Sequence, residues 1–209
     1  MAGIAALSLA VSTTATIIAS ALAIPGAFWI VYGRAKARAV LLACFYVGLG
    51  LPPVAVGLLI AFAFWRSGPF GRFDLLYTPA AMVLAQVIVV VPIVGTLAVV
   101  ALRAVDAALP LQLRALGVPT AVRRRLLLRE AAPGLAACAL AGLGRAIAEV
   151  GAAQMTGGNI EGQTRVLTTA TMLAVGRGEF TQAFGYVAVL LGIMALVTGG
   201  TLVLQARWR

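Results

Sequence analysis

Arg145 and Glu149 are the residues of this chain whose types and spacing could do chemistry. They stand four apart inside a mostly apolar stretch, Glu130 to Asn159. On a helix, positions four apart share a face, so the two side chains can pair. A charge near the middle of a membrane helix costs at least about 2.5–3.5 kcal/mol on insertion scales, so a chain that keeps two there usually uses them. The chemistry is electrostatic: a cation held by a carboxylate. It either lines a path or clamps helices together. A basic segment, Arg114 to Arg129, precedes the stretch, and a Gly/Asn/Thr-rich segment, Gln154 to Gln163, follows it.

Other chemistries find no residues. Histidine is absent. Cys44 and Cys138 each sit within an apolar run, where cysteine is more often a small apolar filler than half of a disulfide. No spacing suits a protein-bound metal. There is no Walker lysine loop and no nucleophile–base arrangement, so the reading is not an enzyme. The net charge of +10 flanks apolar runs instead of forming a stripe, which excludes nucleic-acid binding.

The elements that position the pair follow from composition. The chain is 62% hydrophobic and 11% charged, whereas a soluble domain needs about 25% charged residues. The expectation is a single all-α, polytopic membrane domain, residues 1–209, with about five spans at approximately 8–32, 39–65, 79–102, 131–153 and 184–204, each near or above the ~20 residues needed to cross. Pro25-Gly26 should kink the first span. Glycines and Pro52-Pro53 interrupt the second. Thr78 is the expected N-cap of the third, with Pro79 at its first position. A short helix is expected over Thr164 to Val175, and a new one opening at Gly178-Glu179.

With the amino terminus outside, the inside segments hold Arg34, Lys36, Arg38, Arg103, Arg114, Arg123, Arg124, Arg125, Arg129, Arg207 and Arg209. The outside segments hold Arg66, Arg72, Arg165 and Arg177. The positive-inside bias therefore favours N-out and C-in. Trp65 and Trp208 fall near span ends, where interfacial aromatics belong. The inside loop, residues 103–130, is punctuated by Pro110 and Pro119 and carries short amphipathic stretches that suit helices at the membrane surface.

Four stretches resemble the permease subunits of binding-protein-dependent ABC importers for tetrahedral oxyanions, a type I (MetI-like) membrane domain. GLPPVAVGLL (Gly50 to Leu59) with SGPFG (Ser67 to Gly71) looks like the Leu-Pro-Pro and Gly-Pro-x-Gly signatures of molybdate- and tungstate-type permeases. YTPAAMVLAQVIVVVPIV (Tyr77 to Val94) is similar to their third span. LRALGVPTAVRRRLLLREAAPG (Leu113 to Gly134) resembles the cytoplasmic "EAA" loop, with Ala115-Leu116-Gly117 at its core. GRAIAEVGAAQMTGGNIEGQTRVLTTA (Gly144 to Ala170) is similar to the tungstate branch. Two features depart from the family: the loop starts Leu111-Gln112-Leu113 where relatives read Glu-Ala-Ala, with Arg129-Glu130 near the place of their Leu-Pro and Glu130-Ala131-Ala132 falling after the loop, and the sequence begins almost directly with the first expected span.

The resemblance implies a homodimer in the bacterial inner membrane. It implies a separate ABC ATPase carrying ATP and Mg, and an external oxyanion-binding protein. The cargo would be tungstate, with molybdate, sulfate or phosphate as alternatives. Ala115, Leu116, Gly117 and Val118, flanked by Arg123, Arg124 and Arg125, would couple to the ATPase. The other reading of this loop is a membrane-surface anchor. Arg145 and Glu149 would help form the gate. Thr156, Gly157, Gly158 and Asn159, with Thr164, would offer neutral donors to a dehydrating dianion; the other reading of Gly-Gly-Asn is a turn closing the fourth span. A stand-alone channel or scaffold is the reading from another class.

Overall fold

The computed structural model describes residues 1–33 and 37–207. Arg34, Lys36, Trp208 and Arg209, and the side chain of Arg207, named above for topology, lie outside what is described. Among the described residues every regular element is helical: α1 (Ala2–Tyr32), α2 (Ala37–Leu49), α3 (Pro53–Phe64), a 3-10 turn (Gly71–Phe73), α4 (Pro79–Arg103), α5 (Ala108–Ala115), α6 (Thr120–Ile147), α7 (Gly151–Gly157), α8 (Leu167–Gly176) and α9 (Phe180–Arg207).

Among the described residues α1, α4, α6 and α9 are long and apolar enough to cross a membrane, and α2 with α3, bent by 104° at their junction, makes a fifth where the pair counts as one broken span. The bend follows from Pro52-Pro53. A proline forces the residue before it out of the helical region, and two in succession hold the chain extended, as Pro52 shows with φ −66 and ψ 122. Against the expected boundaries, α1 begins at Ala2 and runs unbroken through Pro25. Thr78 caps α4 as expected, its Oγ1 accepting from Ala81 N at 3.4 Å and donating to Leu75 O at 2.6 Å. The short helix expected over Thr164 to Val175 is α8, and α9 opens at Phe180.

The core is a three-helix packing of α1, α4 and α6. Ala15, Ala19, Ala23 and Ala27, all fully buried, recur every four residues and make one smooth stripe on α1. Small residues at that spacing let backbones approach closely, which is how helices associate where the surrounding lipid is as apolar as the side chains. Against the stripe lie Val90, Val94 and Ala98 of α4, with Cys138, Ala146 and Leu135 of α6. Phe45 of α2 enters the same core. The short helix α7 packs on α3, and α8 packs on α9 near the start of α1. Large apolar side chains such as Ile17, Leu22, Leu59, Phe62, Leu191 and Leu196 point outward, as a lipid-facing surface requires.

Candidate functional site

The fourth span is where structure and sequence expectation differ most. It was expected over 131–153, carrying Arg145 and Glu149 on one continuous helix. Instead α6 starts at Thr120 and stops at Ile147, and α7 begins at Gly151. The pair therefore straddles a helix break: Arg145 in the last turn of α6, Glu149 in the connection. It still forms, with Arg145 Nη1 2.6 Å from Glu149 Oε2.

The break is held from several sides. Glu149 Oε1 accepts from Ala152 N at 3.0 Å, so the same carboxylate caps the first turn of α7. The Thr168 hydroxyl of α8 donates to Glu149 O at 2.8 Å. Gln86 of α4 donates from Nε2 to Ala146 O at 3.3 Å. Backbone carbonyls freed at a break in apolar surroundings need partners; Gln86 supplies one to Ala146 at the end of α6, and Thr168 one to Glu149 in the connection. The Glu149 side chain is 4% exposed and that of Arg145 is 35% exposed. The carboxylate is thus the buried anchor, and the guanidinium reaches outward with donors that have no other partner among the described residues.

The Gly/Asn/Thr-rich segment is a tight turn. Gly158 N donates to Gln154 O at 3.0 Å and closes α7. Gly158 (φ +67) and Asn159 (φ +53) both take left-handed backbone, a conformation glycine and asparagine adopt at least cost. Thr156 is fully buried and its hydroxyl donates to Ala152 O at 2.8 Å. The Thr164 hydroxyl donates to Gly157 O and accepts from Ile160 N. Asn159 Nδ2 donates to Thr169 O at 3.4 Å. The hydroxyl donors of Thr156 and Thr164 and one of the two amide donors of Asn159 are therefore spent inside the fold, which fits the turn reading better than a row of free donors.

At the opposite end of the molecule, α5 and α6 meet in a sharp corner. Gly117 N donates to Arg114 O at 3.1 Å and Val118 N to Leu113 O at 3.0 Å. These are the two bonds of a Schellman cap, and they require the left-handed Gly117 (φ +69) between them. Leu116 stands at the tip, 77% exposed, with Ala115 exposed and Val118 half-buried beside it. Arg123, Arg124 and Arg125 lie on the first turns of α6, not in a loop. Gln86 and Thr168 were missed by sequence reasoning. The signal for Gln86 was present: an amide in the middle of the apolar run of α4 is a polar group that a membrane span rarely keeps without use.

No family model matches the chain. It is 34% identical over 214 residues to a probable anion ABC transporter permease protein of Haloferax volcanii, covering 100% of this chain and 90% of that one. It is 34% identical over 187 residues to the tungstate uptake system permease protein of Peptoclostridium acidaminophilum, covering 90% and 82%. A putative molybdenum transport system permease protein of Bacillus subtilis is 28% identical over 202 residues, covering 91% and 88%. The fold matches a chain of the inward-facing MetNI methionine ABC transporter with a TM-score of 0.76 at 16% identity, over 96% of this chain and 92% of that one. With a MetI-type fold matched nearly end to end and one-third identity along its whole length, the chain belongs to the anion-type ABC transporter permeases, multi-pass membrane subunits that transport and are not enzymes.

Proposed function

We propose that two copies of this chain form the membrane path of an importer for a tetrahedral oxyanion, tungstate first. A separate ATPase pair holding ATP and Mg would drive it from inside, and an oxyanion-binding protein would feed it from outside. About five spans per chain are few to enclose a path, and a twofold dimer doubles them. The setting is the bacterial inner membrane, N-out and C-in. Its support is the clustering of Arg103, Arg114, Arg123, Arg124, Arg125 and Arg129 at the end where α4 finishes and α6 starts. The stretch Gly144 to Ala170 and the identity to the Peptoclostridium tungstate permease support tungstate. The likeness to the Bacillus subtilis molybdenum permease supports molybdate as the second cargo.

The observation that carries the path is the Arg145–Glu149 pair at the α6–α7 break. A guanidinium already paired on one edge keeps part of its field and part of its donor set, so it attracts a dianion without trapping it. Arg145 is assigned the path-facing part of the gate and Glu149 its anchor. Thr156, Gly157, Gly158 and Asn159 buttress the gate as a turn. Ala115, Leu116, Gly117 and Val118 form the ATPase-coupling tip, with Arg123, Arg124 and Arg125 on its flank.

Proteoliposomes holding the chain, its cognate ATPase and the loaded binding protein test the reading. Tungstate should accumulate only when ATP is supplied. Equal entry without ATP or without the ATPase would instead identify a stand-alone channel.

A further inference from the structure

A cavity of about 690 Å³ opens between the end of α1 and the α5–α6 corner, and its two walls differ in kind. One wall is apolar and aromatic: Phe28, Trp29 and Val31 from the last turns of α1. The other is cationic: Arg114 of α5 with Arg123 and Arg124 of α6. The volume is in the range of small-molecule sites, about 300–1,000 Å³. None of these arginines has a carboxylate partner; among the described residues the ion pairs are Arg145 with Glu149 and Arg165 with Glu161, both elsewhere. The nearby acids are not in the cavity wall: Asp106 accepts from Ala108 N, and Glu130 lines a separate hollow with Arg129. Arg123 gives one Nη2 donor to Thr120 Oγ1 at 3.5 Å, leaving most of the fork free.

Three uncompensated guanidinium groups facing the end of a membrane helix call for an anion, and the aromatic wall calls for something apolar attached to it. We infer that this cavity binds the headgroup of an anionic phospholipid, the phosphate between Arg114, Arg123 and Arg124 and the start of the acyl chains along Phe28, Trp29 and Val31. Basic pockets at the cytoplasmic ends of membrane helices take anionic headgroups by this chemistry, and arginine suits phosphate because its planar fork binds two oxygens at once. Trp29, exposed on the last turns of α1, sits where interfacial aromatics sit. The lipid would then brace the α5–α6 corner against α1. Only the choice of inner leaflet rests on the orientation proposed above; the binding itself does not.

The test uses the full-length purified chain in detergent, read by native mass spectrometry, and so depends on neither the ATPase nor transport. Phosphatidylglycerol should stay bound where phosphatidylcholine does not. The double substitution Arg114→Gln with Arg124→Gln should weaken retention about thirtyfold, each arginine being worth about 1 kcal/mol. Arg114→Lys with Arg124→Lys should keep the preference for the anionic lipid, and Arg129→Gln, outside the cavity, should leave it unchanged. Equal retention of the two lipids by the unmodified chain would overturn the proposal without any variant having to fold. So would phosphatidylglycerol retention that survives the double glutamine substitution. Displacement of the lipid by millimolar inorganic phosphate would assign the site to a free anion and overturn the lipid assignment.

Discussion

Glu149 makes three connections: to the Arg145 guanidinium, to the first turn of α7 and, through its carbonyl, to Thr168. Replacing it by glutamine separates them. An amide oxygen can still accept from Ala152 N, and the carbonyl is untouched, but Arg145 loses its counter-charge. Removing one partner of a buried pair costs about 3–5 kcal/mol, and the cost here should sit below that range because Arg145 is partly exposed and can find other solvation. Glu149→Gln should lower the thermal midpoint in detergent and reduce uptake, while the ratio of tungstate to molybdate transported stays as in the unmodified protein. An unchanged midpoint with an altered ratio would make the pair a selectivity element instead of an anchor. The types and spacing of the pair were legible in the sequence. The break between its members was not: no proline stands there and Gly151 comes only after it, and the side chains that hold the break, Gln86 on Ala146 O and Thr168 on Glu149 O, are distant in sequence.

At the scale of elements, the corner between α5 and α6 was half legible. Pro110 and Pro119 marked its interruptions, and the apolar positions marked short helices. That the arginine run belongs to a long α6 was hidden, because the run is helix-compatible and the apolar stretch that would mark a span begins only later. The left-handed Gly117 gives a clean experiment. A Cβ added there meets nothing within 4 Å, so the cost of a side chain is the backbone cost alone, about 1–2 kcal/mol and less for aspartate or asparagine. Gly117→Asp should therefore insert and accumulate normally yet reduce oxyanion uptake to background, because a charge arrives beside Leu116 at the tip proposed to meet the ATPase. Gly117→Asn, with similar backbone tolerance and no charge, should fall between the two. Normal uptake by the aspartate variant would remove the coupling role from this corner.

For the whole molecule, hydropathy was enough to read an all-helical membrane domain with about five spans, since runs of apolar side chains longer than a core can hold have no other use. It was not enough for the shape of the second span. Pro52 and Pro53 marked an interruption, but the 104° angle between α2 and α3 depends on how α3 lies against α4 and α7, contacts that no local pattern carries. The same holds for the alanine stripe of α1, which reads as generic small residues until α4 is laid along it. The central claim joins these scales: a corner at one end of a twofold path is moved by a nucleotide-driven partner, and the paired charges at the helix break respond. Leu116 at the exposed tip allows the most direct test. In a Cys44→Ala, Cys138→Ala background, Leu116→Cys should cross-link to the ATPase subunit in native membranes, and ATP should change the yield. A cysteine there that labels only with lipid-soluble reagents, and links to no ATPase with or without nucleotide, would contradict the account.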